Sequence, residues 1–100
     1  MRLIVRPEAE AELLQAFSWY EDQQPGLGRS FMDEVSVCLE YIEQRPLSFA
    51  VVNNPLRRAM TRRFPYALFF AVGQDTISVV AAFHMARHPE ALSQKLGPVA

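Results

Sequence analysis

Apolar residues recur every three or four positions after Pro7, which is the spacing of one face of an α-helix. Pro7 suits a first helical turn because its missing N–H is unpaired there in any case. The pattern fades near Gln24, and Pro25 with Gly26 marks a break. The sequence therefore predicts an amphipathic helix with a buried stripe of Ala9, Leu13, Ala16, Phe17 and Tyr20.

A second helical pattern follows and stops before Pro46, because the residue ahead of a proline is pushed away from helical geometry. Its predicted buried face consists of Leu27, Phe31, Val35, Cys38, Leu39 and Ile42. So short a connection between the two patterns predicts an antiparallel helical hairpin.

Elsewhere the pattern is typical of strands. Residues 46–56 hold two prolines and an Asn-Asn pair, and we interpret them as a loop. Residues 73–75 form a hairpin-sized turn between two apolar runs. The predicted strands are residues 3–5, 57–64, 67–72 and 76–83, and residues 90–100 are expected to be a short helix or a frayed tail.

This order predicts one α+β domain spanning residues 1–100, with β-α-α-β-β-β topology and a helical hairpin on a small antiparallel sheet. Half of the residues are hydrophobic, which is enough to form a core without disulfides or metal. Cys38 is the single cysteine, and no residue spacing suggests a metal or cofactor site. With no signal peptide or apolar run near ~20 residues, we expect a soluble, cytoplasmic protein that does not enter a membrane.

Charge is distributed unevenly although the net charge is only −1. Residues 1–50 carry a net charge of −5, and residues 51–100 carry +4. This asymmetry suggests an acidic or polyanionic partner for the C-terminal half, although clustered surface charge explains it equally well.

Four arginines make up the densest basic group, and they precede Phe64-Pro65-Tyr66 directly. If residues 57–64 form a strand, Arg58 and Arg62 share one face with Met60, and Arg57 and Arg63 share the other. Guanidinium groups form bidentate hydrogen bonds with phosphate or carboxylate groups, so this strand is a candidate binding surface for nucleic acid or an acidic peptide. The alternative is a solvated face that pairs with the acidic helices.

The second candidate group contains His84 and Arg87, at the end of the last predicted strand. Histidine titrates near neutral pH and transfers protons in catalysis, and arginine stabilises developing negative charge. Two such residues are not specific for metal-free RNA cleavage, and taken alone His84 is better explained as a structural or capping residue.

A series of short motifs runs along most of the chain. They are the opening strand with Pro7-Glu8-Ala9-Glu10, Trp19-Tyr20, Gly26-Leu27-Gly28 leading to Phe31, Pro46, Arg58 with Arg62-Arg63-Phe64-Pro65-Tyr66, and His84-x-x-Arg87-x-Pro89. Each motif is weak alone, and the order and spacing of the set are what make it specific. With this set, over about residues 2–95, the chain resembles the ParE branch of the ParE/RelE toxin superfamily.

The resemblance implies a toxin made beside a cognate ParD-like antitoxin, in a hetero-oligomer of the kind associated with plasmid stabilisation. An acidic antitoxin segment would wrap the toxin, laying a helix between hairpin and sheet, with extended backbone pairing as a further mode. DNA binding would belong to the antitoxin, so the toxin itself would not bind specific DNA sequences. The implied partner-binding residues are Arg57, Arg58, Arg62, Arg63, Tyr66, His84 and Arg87.

The superfamily contains two activities. ParE-like members poison DNA gyrase without a nuclease site, whereas RelE-like members cleave mRNA on the ribosome. Phosphate contacts dominate binding to RNA, so a ribosome-dependent nuclease is expected to be strongly basic. This chain is not strongly basic, and Lys95 is its only lysine. This favours a non-enzymatic gyrase poison. The alternatives are an endoribonuclease that uses Arg62, Arg63, His84 and Arg87, and an inactive binding module that keeps the fold.

Overall fold

The structure, a computed structural model, describes residues 1–85. Strand β1 (Arg2–Val5) leads into helices α1 (Pro7–Gln23) and α2 (Leu27–Gln44), and a short 3-10 helix, Pro46–Ser48, follows. Four strands complete the described chain: β2 (Val51–Asn53), β3 (Leu56–Met60), β4 (Tyr66–Val72) and β5 (Thr76–His84). The predicted tail, residues 90–100, and Arg87 lie outside the described residues.

The strands form one five-stranded sheet in the order β1-β5-β4-β3-β2. Neighbours from β2 to β5 pair antiparallel, as predicted for the C-terminal strands. Strand β1 pairs parallel with β5, with Arg2 opposite Thr76, so the sheet is mixed rather than wholly antiparallel. The helical hairpin separates β1 from the meander along the chain and allows β1 to join the sheet beside the last strand.

The two helices pack on each other and on one face of this sheet, which confirms the predicted α+β architecture. Phe31 of α2 is fully buried there, and so are Ile42, Leu68 and Phe70. The opposite face of the sheet carries a smaller buried cluster of Ala67, Phe69, Ala81 and Phe83.

The connection from α1 to α2 depends on Glu21 and Gly28. The Glu21 carboxylate accepts the Gly26 N–H on Oε2 and the Gly28 N–H on Oε1, each at 2.9 Å. These donors are among the backbone N–H groups that a helix start leaves unpaired, and they favour a negative charge. A Cβ at Gly28 would lie 2.7 Å from the Phe17 carbonyl oxygen, so only glycine lets the helices approach this closely.

A second carboxylate joins the helical layer to the sheet. Strand β5 has an extra residue opposite β4, since Phe69 pairs with Ala81 but Phe70 pairs with Val79. Such a bulge leaves local backbone groups without a ladder partner. Glu12 Oε1 on α1 accepts the Ala82 N–H at 3.0 Å, which fixes α1 at this position on β5.

Two boundary predictions were wrong. The segment predicted as a loop contains β2, a three-residue edge strand, and turn-forming Asn53, Asn54 and Pro55 beside it masked the strand signal. Strand β3 ends at Met60, whereas the sequence predicted a strand to Phe64. Between Arg2 and Met85, no helix is long and apolar enough to cross a bilayer.

Candidate partner-binding surface

The four arginines occupy three different environments, because β3 ends before Arg62. Arg57 lies on the helix side of the sheet, as Ala59 does, and its guanidinium group is engaged inside the molecule. Arg57 Nη1 donates to the Phe49 carbonyl at 2.7 Å and to the Leu47 carbonyl at 3.4 Å. These bonds hold the segment before β2 against the sheet, so Arg57 acts structurally in the free chain.

Arg58 points away from the helices, next to Met60 on the same face, as strand alternation predicts. Both residues are exposed, and the Arg58 guanidinium has no ion pair or hydrogen bond with any residue of the described chain. Phe69 stands opposite Arg58 in β4, so the smaller apolar cluster lies beside this charge.

Arg62 and Arg63 project from the β3–β4 turn, residues 61–65, and not from the strand as predicted. Thr61 is the buried polar residue of this turn, and its hydroxyl donates to the Phe64 carbonyl at 2.8 Å. The Thr61 N–H donates to the Tyr66 carbonyl at 2.9 Å, and the Tyr66 N–H donates to the Phe64 carbonyl at 2.8 Å. This network holds the backbone in one shape while both arginine side chains remain exposed.

Arg63 has a left-handed backbone conformation, with φ +70°. Its guanidinium carbon lies 5.4 Å from the centre of the Phe64 ring, within cation–π range. Arg63 Nη1 lies 3.8 Å from Glu34 Oε2 on α2, too far for a charge-assisted hydrogen bond. Arg62, in contrast, makes no side-chain ion pair or hydrogen bond with the described residues.

Exposed apolar side chains on α2 adjoin this basic region. Val37 and Tyr41 lie one helical turn apart and are both exposed. Cys38, between them, places its Sγ 3.8 Å from the Met60 carbonyl oxygen, so the end of β3 lies under this part of α2. Val37 and Tyr41 are exposed on α2, on the helix side of the sheet, and Met60 is exposed on the opposite face beside Arg58. We call these three exposed apolar side chains, which flank the end of β3 from its two faces, the α2–β3 strip.

Tyr66 and His84 are register partners on β4 and β5, and their rings meet edge to face at 5.4 Å. Tyr66 is buried in the aromatic cluster with Tyr20, Phe31 and Phe64, whereas His84 is half-buried at its rim. The Met85 N–H donates to the Pro65 carbonyl at 2.8 Å, so the end of β5 lies beside the arginine turn. The fold thus brings Arg62, Arg63, Tyr66 and His84 to one end of the sheet.

Cys38 is unsuited to nucleophilic chemistry. Burial raises the pKa of its thiol to about 11, so the thiol is protonated at neutral pH. Within residues 1–85, no group of three or more His, Cys, Asp or Glu residues is arranged to hold a metal ion.

Three contributors to this surface were missed from the sequence. Val37 and Tyr41 fall just outside the buried stripe of α2, and their exposed apolar side chains were the signal that could have identified them. Thr61 carries no local signal, because its role depends on a turn that the sequence presented as a strand.

Comparison with known proteins adds to this geometry. No protein-family model matches the chain. The chain is 28% identical over 96 residues to Toxin ParE2 of Mycobacterium tuberculosis, in strains CDC 1551 / Oshkosh and ATCC 25618 / H37Rv, covering 95% of this chain and 91% of that protein. A solved structure described as the chromosomal ParDE TA system from P. aeruginosa matches with a TM-score of 0.74 and 17% identity, over 82% of this chain and 92% of that one. The chain is therefore similar to a ParE toxin in sequence and shares the fold of a ParDE component, which confirms its resemblance to ParE-type toxins.

Proposed function

We propose that the chain is the toxin of a toxin–antitoxin pair, that it acts on DNA gyrase without being a nuclease, and that a cognate antitoxin neutralises it. The observation that carries this proposal is the similarity to Toxin ParE2 along 95% of the chain. The shared fold with a ParDE system supports it independently of sequence.

The antitoxin surface that we propose is the α2–β3 strip and its basic border. Exposed apolar side chains near a basic border are candidates for burial against a partner protein. Val37, Tyr41 and Met60 offer such contacts, and Arg58 and Arg62 offer charges with no partner among the described residues. An acidic segment that wraps the end of β3 fits this surface, because its apolar side chains would cover Val37 and Tyr41 on one face and Met60 on the other while its carboxylates pair with the arginines. Arg57, bound to two backbone carbonyls, is left out of this proposed contact.

Gyrase inhibition is tested directly with purified protein. We expect the chain to inhibit supercoiling or to trap cleaved DNA when added to gyrase. No effect at stoichiometric excess would exclude gyrase as the target. Induced expression in cells without the antitoxin should arrest growth, and unimpaired growth would favour the inactive-module alternative instead.

The antitoxin surface is tested by charge reversal at Arg58 and Arg62, in the complex purified with the product of a neighbouring antitoxin-type reading frame. The double variant Arg58→Glu/Arg62→Glu should bind at least about tenfold more weakly, because loss of a close charge pair changes the binding free energy by about 1.5 kcal/mol or more. Arg29→Glu is the matched control, since Arg29 is exposed on α2 and pairs with Asp33 in the next turn at 3.4 Å. Equal affinities for the two variants would place the antitoxin elsewhere.

The endoribonuclease alternative has one supporting observation, the gathering of Arg62, Arg63 and His84 at one end of the sheet. Translating ribosomes exposed to the protein would then show codon-linked mRNA cuts. Such cuts should disappear in the His84→Ala variant. Intact mRNA in the presence of a growth-arresting protein would exclude this activity.

A further inference from the structure

Among residues 1–85, Arg63 is the non-glycine residue with a positive φ, at +70°. Left-handed backbone costs an L-residue with a Cβ roughly 1–2 kcal/mol, and glycine or asparagine adopts it more readily. Such strain persists only where the surrounding structure enforces it, and it concentrates at binding and switch sites. The Thr61 hydroxyl and the paired backbone of the turn provide that enforcement.

The interactions of Arg63 in the free chain are too weak to account for an arginine there. Its ion pair with Glu34 is long, at 3.8 Å, and the arginine side chain is 61% exposed. The Glu34 side chain is only 19% exposed, so the pair is half in solvent. Its length and the exposed arginine still limit its contribution to roughly 1 kcal/mol. The Phe64 ring fixes the direction of the guanidinium group without neutralising its charge.

We propose that Arg63 is a recognition residue that exchanges the Glu34 carboxylate for a carboxylate on the target protein. The identification of that target as gyrase rests on the proposed function. The rigid turn and the Phe64 ring hold the guanidinium group in place before binding, which lowers the ordering cost of the contact. Glu34 occupies the position of the incoming carboxylate and competes with it. The two members of one ion pair therefore act in opposite directions on binding.

The backbone part of this proposal is tested by comparing Arg63→Gly with Arg62→Gly. Both variants remove one exposed arginine from the same turn, but Arg62 is not in the left-handed region. We expect the melting temperature to stay level or rise by a few degrees in Arg63→Gly, since strain relief offsets the entropy of a more flexible unfolded chain. The Arg62→Gly variant should melt at a lower temperature. Equal destabilisation in both variants would refute the strain argument.

The recognition part is tested with purified gyrase and the half-inhibitory concentration for supercoiling. Arg63→Gly should raise this concentration at least about tenfold although the fold is intact, and Arg63→Lys should recover part of the loss by restoring the charge. Glu34→Gln should lower it about two- to fivefold, because the competing carboxylate is gone. A purely structural ion pair would shift both variants in the same direction. Unchanged potency in Arg63→Gly, or weaker inhibition by Glu34→Gln, would overturn the proposal.

Failure of the proposed target would appear separately, as a wild-type chain that does not inhibit gyrase. Growth arrest on induced expression then replaces supercoiling as the readout, with the same ranking of variants expected. A ranking in which Arg63→Gly arrests growth as strongly as wild type would overturn the role of Arg63. Tight binding of the wild-type chain to DNA alone, lost in Arg63→Gly, would assign the contact to phosphate and overturn the carboxylate exchange.

Discussion

Replacing Phe31 by alanine tests the central packing of the fold. Its ring is fully buried, with ring centres of Tyr20 at 5.1 Å, Phe64 at 5.4 Å and Tyr66 at 4.9 Å. Removing a buried phenylalanine costs about 3–5 kcal/mol, from lost transfer free energy and from the cavity that remains. We expect about 4 kcal/mol here, because the three neighbouring rings belong to α1, the β3–β4 turn and β4 and cannot collapse together into the cavity.

Urea denaturation followed by circular dichroism measures this loss as a lower midpoint at constant slope. A total stability of roughly 5–15 kcal/mol leaves some margin, and Phe31→Leu provides a milder variant with an expected loss of about 1.5 kcal/mol. Val37→Ala on the same helix is the control, since Val37 is 40% exposed and its loss should stay within about 0.5 kcal/mol. A Phe31→Ala loss below about 1 kcal/mol, or one equal to that of Val37→Ala, would refute the packing described here.

Three further predictions concern the helix junction, the thiol and the turn. Gly28→Ala should destabilise by about 1–2 kcal/mol in thermal or urea unfolding because its Cβ would press on the Phe17 carbonyl, whereas Gly73→Ala, with 3.4 Å to its nearest atom, should be near neutral. Burial raises the Cys38 pKa from 9.0 to about 11. The buried neutral thiol therefore contributes its full stabilisation below pH 9, and this contribution is lost as the pH rises through 11. The difference in unfolding free energy between wild type and Cys38→Ala should fall over that range and stay flat below it. Thr61→Val should cost about 1 kcal/mol through the lost hydroxyl bond, and unchanged unfolding would show that the turn does not need it.

The sequence was sufficient for elements with strong periodicity and insufficient where tertiary contacts decide. The starts and ends of α1 and α2 followed from Pro7, Gly26 and Pro46, which act locally. The parallel pairing of β1 depends on a strand more than 70 positions away in the chain, and no local pattern encodes it.

The candidate surface shows the same division. Alternation along β3 predicted correctly that Arg57 and Arg58 face opposite sides, and it predicted nothing about the carbonyls that engage Arg57. The alternation of apolar and polar residues continues through Arg62 and Arg63 and so predicts that they lie on the strand. In the structure the strand ends before them, and the Thr61 hydroxyl stabilises the turn by donating to the Phe64 carbonyl. Hydrogen bonds of this kind arise only once the neighbouring strand is in place.

The pairing of β1 with β5 has a consequence for synthesis of the chain. Arg2 is synthesised long before Thr76 and must wait for it before its strand has a partner, and Glu12 must likewise wait for Ala82. Contacts so distant in sequence form slowly and late. A nascent chain, or one terminated before β5, would therefore carry a helical hairpin without a finished sheet, and the arginine turn would gain its contact with Met85 only after β5 is synthesised.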